Sequence, residues 1–311
     1  MGTRLSCPGF SPRRLTAVAF ALAVLAAAPS GTAAQDPVVM AAGDIACAST
    51  GSASPGDCSQ TYTSNLAIAQ QANAGEGLAA LLAAGDTQYE NGTLREYQQY
   101  FTPSWGRAAL RGVLRPALGN HEYQTGGAAG YFDYFGSIGV NVGARGQGWY
   151  SFDVGAWHLI ALNSSDECRI VSCAAGSAQE AWLRADLAAT QSSCVLAYWH
   201  HPIETMPRGR PIFSTLYSAG VDIVLAGHTH SYRSPRRVDA DGGNDPNGPY
   251  QVIVGTGGKS GGTYGLLKLT LHSGSADYRF VGSGASSSGS IPCRGAAPTP
   301  PPPPPPPPPA A

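Results

Sequence analysis

Short apolar runs bounded by Gly, Ser, Asn or Asp recur from residue 38 onward, separated by stretches with helical spacing of apolar positions. The runs at 38–42, 81–84 and 114–118 read as strands, and 149–154 with 157–162 as a hairpin turning at Gly155. The runs at 195–199 and 221–226 are apolar apart from Asp222, as expected of central strands buried on both faces. Helices are predicted over 62–74 and 213–219, and after two capping-box pairs, Thr93 with Glu96 and Ser177 with Glu180, the latter leading to Trp182 and Leu187. The last third, with strands at 251–254, 266–271 and 277–281, carries Gly and Ser turns. Strands and helices alternate around one core, which is α/β layering, and no internal repeat is present.

The two ends depart from this pattern. Residues 1–34 carry Arg4, Arg13 and Arg14, then the apolar run 15–28, then the small residues Thr32, Ala33 and Ala34. This order predicts an export signal, with the Arg13-Arg14 pair hinting at a twin-arginine route. The apolar run is short for a membrane span, so the mature chain is expected to have none. At the other end residues 300–309 are all proline, a polyproline II spacer about 30 Å long. Such a spacer implies contact with a cell wall or with a further domain. The expected organisation is a signal at 1–34, a catalytic domain at 35–290 and a proline-rich tail at 291–311.

Removal of the signal takes away three arginines and no acid, shifting the formal charge from −1 to −4. Only two lysines, Lys259 and Lys268, occur and no basic block exists, which speaks against nucleic-acid binding. Cys7 leaves with the signal. The six remaining cysteines allow 15 pairings in an exported protein. Proximity favours Cys47 with Cys58 and Cys168 with Cys173, leaving Cys194 for Cys293. A zinc site is the competing use, though no C-x-x-C occurs.

Five predicted strands end on metal-ligating residue types: Asp44, Asp86, Asn120 with His121, His200 with His201, and His228 with His230. Gly43, Gly85, Gly119 and Gly227 precede four of them and are expected to turn the chain into a shared crevice, where open α/β sheets bind ligands. Tyr89, three residues after Asp86, adds a hard anionic donor suited to a strongly Lewis-acidic ion. His228 and His230 in an extended segment would face one side. His158 and His272 lie elsewhere and read as structural. The run Gly255-Thr256-Gly257-Gly258-Lys259-Ser260 is not a P-loop, because Ile253 stands where the first glycine is required. Its glycines are expected to let a strand end pass close to the crevice. The aromatics Tyr97, Tyr100, Phe101, Trp105, Tyr123, Tyr131, Phe132, Tyr134 and Phe135 are expected in the core, with a stacking rim for a nucleoside or aromatic leaving group as the alternative.

The ordered blocks Gly43-Asp44-Ile45, Gly85-Asp86-x-x-Tyr89, Gly119-Asn120-His121-Glu122, Ala197-Tyr198-Trp199-His200 and Gly227-His228-x-His230 resemble the signature of calcineurin-like metallophosphoesterases over residues 37–283. Ala46, where many members place a ligand histidine, together with Tyr89 is similar to the purple acid phosphatase branch. Ala197 departs from the usual valine but leaves His200 in place. The resemblance implies a four-layer α/β/β/α sandwich of two mixed sheets flanked by helices. It implies Fe(III) held by Asp44, Asp86, Tyr89 and His230, and a divalent ion (Zn, Mn or Fe) held by the shared Asp86 with Asn120, His200 and His228. His121 would act on the phosphate or leaving group, with His201 and Glu122 lining or supporting the pocket. The implied activity is hydrolysis of small phosphate monoesters by a secreted enzyme. The alternatives are a phosphodiesterase or nucleotidase on the same site, or a non-catalytic wall-associated module.

Overall fold

The computed structural model describes residues 1–3 and 35–294, apart from residues 50, 53, 74, 76 and 260; the segment 4–34 and the proline run lie outside the described residues. The first sheet has strand order β12-β11-β10-β1-β2-β3 and the second β4-β5-β6-β7-β9-β8. In the first, β1 (Val38–Ala42), β2 (Leu78–Ala84) and β3 (Leu114–Ala117) are parallel. In the second, the parallel strands are β5 (Trp157–Ala161), β6 (Cys194–Tyr198), β7 (Ile223–Ala226) and β9 (Tyr250–Val254). Antiparallel strands complete both: β4 (Tyr150–Val154) and β8 (Tyr232–Arg237) in the second, and β10 (Tyr264–Leu271), β11 (Ser275–Ser283) and β12 (Ser288–Pro292) in the first. Both sheets are therefore mixed, as expected.

The two-residue period of a strand sorts side chains between faces. Leu159, Ala161, Leu196, Tyr198, Ile223 and Leu225 join a core cluster with Leu81 and Val39 of the first sheet. Their neighbours Ile160, Leu162, Val195, Ala197, Trp199 and Val224 join a second cluster with Leu183, Ile212, Phe213 and Leu216. Those last four lie on the helices α6 (Ala178–Ala189) and α7 (Arg210–Ser218), while α1 (Gln60–Gln71) packs on β2 and β10 of the first sheet. The layers are thus helix, sheet, sheet, helix.

The shorter helical pieces are α2 (Leu94–Glu96), α3 (Ala108–Arg111), α4 (Ala129–Ser137) and the irregular turn α5 (Ser165–Cys168). The Thr93 capping box closes both ways: Glu96 N donates to Thr93 Oγ1 at 3.2 Å and Thr93 N to Glu96 Oε2 at 2.9 Å. The Ser177 pair closes only one way. Ser177 Oγ accepts from Glu180 N, but the Glu180 carboxylate accepts instead from Gly176 N and Thr215 Oγ1. Tyr97, Phe101, Trp105, Tyr131, Tyr134 and Phe135 are buried, and all but Trp105 make edge-to-face ring contacts, so they form core rather than a stacking rim. Tyr123 is only partly buried, its hydroxyl accepting from Asn163 Nδ2 at 2.8 Å.

All six cysteines after residue 35 are paired as proximity suggested, 47–58, 168–173 and 194–293, which rules out the zinc alternative for them. The last bridge ties β6 to the chain just beyond β12. The sheet therefore continues past the expected domain boundary at residue 290, a strand that low hydrophobicity concealed. Among the described residues no helix is long and apolar enough to cross a membrane.

Candidate metal centre

The C-terminal ends of β1, β2 and β3 from one sheet and of β6 and β7 from the other deliver their following loops to one place. Backbone bonds lock the first two loops together, Asp44 N to Gly85 O at 3.1 Å and Ile45 N to Asp86 O at 2.9 Å. Gly227 N donates to His200 O at 2.8 Å, joining the β6 and β7 loops in the same way. Asp44 Oδ2 then crosses between sheets to accept from His228 N at 2.7 Å.

Two groups of donor atoms result. The Tyr89 hydroxyl lies 2.7 Å from Asp44 Oδ1, 3.0 Å from Asp86 Oδ2 and 3.0 Å from His230 Nε2. At the same Asp86 oxygen, His200 Nε2 lies 3.1 Å from Asp86 Oδ2 and 3.3 Å from His228 Nδ1. Asp86 belongs to both groups, and its Oδ1 accepts from His121 N at 2.9 Å. Asn120 Oδ1 is buried with no hydrogen-bond partner, an acceptor that a cation could use. The Tyr89 hydroxyl has one proton to donate and two carboxylate oxygens within reach of it. Carboxylate, phenol, imidazole and amide oxygen are donor types that could hold cations here, with Asp86 shared between the groups.

The electrostatics carry the same message. Burial would raise the Asp86 carboxyl pKa, but His200 and His121 hold it well below the usual range. Burial would lower His200, yet Asp86 and Asp44 push it up to about 10. Tyr89 is driven well above the usual phenol range by burial and by the two aspartates. The aspartates thus favour the protonated forms of His200 and Tyr89, and the same negative field would favour a cation. His200 Nδ1 is 3.0 Å from the Ala84 carbonyl, which orients the ring and leaves Nε2 as its ligand atom.

The glycines act differently from expectation. Of the four, only Gly85 has positive φ, 75°. The left-handed conformation falls on the candidate ligands themselves: Asp44 at 59°, Asp86 at 45°, His228 at 69° and His230 at 46°. Such backbones are costly for residues with a Cβ and cluster at functional sites. The glycines instead permit close approach. A Cβ on Gly119 would stand 2.2 Å from Asp86 Oδ1, and one on Gly255 would stand 2.6 Å from Asp44 Oδ2. Nor are His228 and His230 in an extended segment. They occupy a bend and reach different groups, His228 toward His200 and His230 toward Tyr89 and Asp44.

Around these atoms stand the supporting residues. Glu122 is fully buried, and its carboxylate accepts from the backbone of Asp86, Thr87 and Gly119 and from the hydroxyls of Thr87 and Tyr97. It thereby clamps the Asp86 loop to the Asn120 loop. Burial and Asp86 push its pKa up, with these donors opposing. His201 lies beneath His200 and His228, with Nδ1 2.9 Å from Ser164 Oγ, and burial beside the two other histidines lowers its pKa to about 2. Ser164 Oγ also accepts from the backbone N–H of His200 and His201. It was not singled out from sequence, since a serine after a strand carries no distinguishing signal. His121 packs 4.2 Å from the Tyr89 ring, its Nδ1 2.6 Å from Glu90 O.

Fold and crevice together define a metallophosphoesterase, and comparison with known proteins agrees. The family model for calcineurin-like phosphoesterase matches residues 37–232, and the chain belongs to that family. Within it the chain is purple acid phosphatase-like. It is 35% identical over 136 residues to Purple acid phosphatase 18 of Arabidopsis thaliana, covering 39% of this chain and 29% of the relative. It is 27% identical over 241 residues to Purple acid phosphatase 1 of Ipomoea batatas, covering 67% of this chain and 50% of the relative. The chain thus spans at most half the length of these relatives. The structure of a purple acid phosphatase from yellow lupin seeds superposes with TM-score 0.61 at 19% identity, covering 82% of this chain and 53% of the other. A dimetal phosphatase from Danio rerio gives TM-score 0.54 at 13% identity, covering 83% and 99%. At these identities the two structures speak for the fold alone.

Proposed function

We propose that this protein is a secreted dinuclear metallophosphoesterase that hydrolyses phosphate monoesters. The observation that carries the reading is the pair of donor groups sharing Asp86, with Asn120 Oδ1 buried and unpartnered between supporting loops. Asp44, Asp86, Tyr89 and His230 would hold Fe(III), and Asp86, Asn120, His200 and His228 a zinc, manganese or iron(II) ion. When bound, the two ions supply Lewis acidity that polarises a phosphoryl group and makes water acidic enough to react near neutral pH.

The chain's own residues do the rest. Tyr89 and Asp44, both buried, exclude water from one flank of the crevice. Glu122 keeps Asp86 and Asn120 in register through the backbone bonds it accepts. His121, with Nδ1 engaged by the Glu90 carbonyl, keeps Nε2 for a phosphate oxygen or for protonating the leaving group. The three disulfides support an oxidising compartment and hence export through the segment at 1–34. The proline-rich tail is then a spacer toward wall or partner.

The test is the visible absorption and metal content of the purified, oxidised protein beside a Tyr89→Phe variant, with turnover of a panel of phosphate monoesters and diesters. A tyrosinate-to-iron band that disappears in the variant, with monoesters preferred, is expected. A colourless active protein overturns the iron assignment, and a preference for diesters overturns the substrate class.

A further inference from the structure

One charged pair at the mouth of the crevice has no part in the reading above. Lys259 follows the glycine-rich run after β9, its backbone N–H donating to the Asp44 carbonyl at 2.9 Å. Its ammonium pairs with the Glu90 carboxylate and stands 4.9 Å from the centroid of the Tyr89 ring. The same carboxylate lies 4.0 Å from His121 Nδ1. Glu90 thus places an anion between a lysine and a histidine, immediately outside the Tyr89 wall. The pair is partly exposed, with 32% of the lysine side chain and 51% of the glutamate accessible, so solvent screening makes it weak. Beside it opens a cavity of about 290 Å³ lined by Cys47, Asp57, Cys58, His230, Lys259 and Gly261. The acid on that wall, Asp57, is engaged by the Tyr264 hydroxyl at 3.1 Å.

We propose that Lys259 is a specificity-determining residue. Its ammonium receives a second phosphate of the substrate, beyond the group being hydrolysed, and Glu90 is an internal competitor that this phosphate displaces. The proposal rests on the phosphoesterase reading, which assigns the reacting phosphoryl group to the crevice around Asp86. Lys259 lies outside both donor groups, over the Tyr89 ring and on a cavity wall shared with His230, so it addresses a neighbouring anion. A phosphate dianion competes well for this position, because it brings more charge and more acceptor oxygens than the carboxylate it replaces.

Calorimetry on the metal-loaded protein at fixed ionic strength tests this, using inorganic phosphate and inorganic pyrophosphate as ligands. Lys259→Gln should weaken pyrophosphate binding about tenfold, with phosphate changed less than about twofold. Lys259→Arg should keep most of the affinity, Glu90→Gln should tighten pyrophosphate binding about threefold, and Lys268→Gln, removing the other lysine from β10, should change nothing. Equal losses for both ligands in Lys259→Gln, or no loss, overturn the proposal, as does weaker pyrophosphate binding in Glu90→Gln. A protein that takes up no metal overturns the phosphoesterase reading itself and this proposal with it.

Discussion

Two clusters of histidine and carboxylate sit at different places on this fold, and they are built on opposite principles. His158 on β5 lies between Asp153 on β4 and Asp186 on α6, with Nδ1 2.7 Å from one carboxylate and Nε2 2.8 Å from the other. Ser151 Oγ completes the set by donating to Asp186 Oδ1 at 2.7 Å. Each ring nitrogen has its own acceptor and none of the three residues has positive φ. In the crevice, by contrast, the Tyr89 hydroxyl and His200 Nε2 converge on one Asp86 oxygen, Asn120 Oδ1 has no hydrogen-bond partner, and four candidate ligands hold left-handed backbones. The closed cluster links two strands and a helix, whereas the crowded one offers donors that a cation could take up. Histidine next to aspartate is thus not in itself a sign of a metal site; unbalanced donors and acceptors are.

The sharpest way to break this contrast is to remove charge from each cluster in turn. Asp86→Asn should reduce phosphoester turnover by roughly a thousandfold or more, because both ions lose their shared ligand. Asp186→Asn should leave turnover unchanged while lowering stability in urea by about 2 kcal/mol. If Asp86→Asn retains both metal and turnover, the crevice is not the catalytic site.

A smaller loss is expected one layer out. Glu122→Gln keeps the size of the side chain but weakens its hold on Asp86 N, Thr87 N and Gly119 N, and should cost about 10- to 100-fold in metal affinity or kcat. Equilibrium dialysis of the divalent ion reads this directly. Smaller again is the thermal effect of chelation. Stripping an ion present at a hundred times its Kd removes about 2.7 kcal/mol, so Tm should fall in the wild type and scarcely move in Asp86→Asn.

The least effect belongs to pH. His158 has its pKa raised: burial pulls it down, but hydrogen bonds to Asp186 and Asp153 outweigh burial. A raised histidine pKa contributes stability that is full below the unfolded value of about 6.5 and is lost as pH rises through the folded value. Unfolding in urea at pH 5.5 and pH 9 should therefore show a stabilisation of about 1 kcal/mol at the acidic end that His158→Gln lacks. An unchanged pH dependence in that variant would show that the cluster does not brace the hairpin.

Much of the architecture was readable because it depends on local pattern. β1, β6 and β7 are apolar on both faces, β9 is apolar from Val252 onward, and β4 and β5 announce a hairpin at Gly155. β8, with sequence YRSPRR, and β12, with SGSIP, escaped notice. Both are edge strands held by backbone pairing, where charge and proline are tolerated and no apolar alternation is required. α4 is hidden for a related reason: AGYFDYFGS is flanked by glycine and lacks a capping side chain, and its aromatics are held by packing on Tyr97 and Phe101.

The sequence by itself determined which residue types stand at the ends of the central strands, because short-range pattern places strand ends and the ligand chemistry is written in the side chains that follow them. It also determined the pairing of cysteines close in the chain. Only the tertiary structure decided that Asp86 lies in both donor groups, that Glu122 spans two loops and that Gly255 and Lys259 border the crevice. Those relations join residues from different strands, several of them from two different sheets, and distance across a sandwich is set by packing of the whole core, which no local pattern encodes.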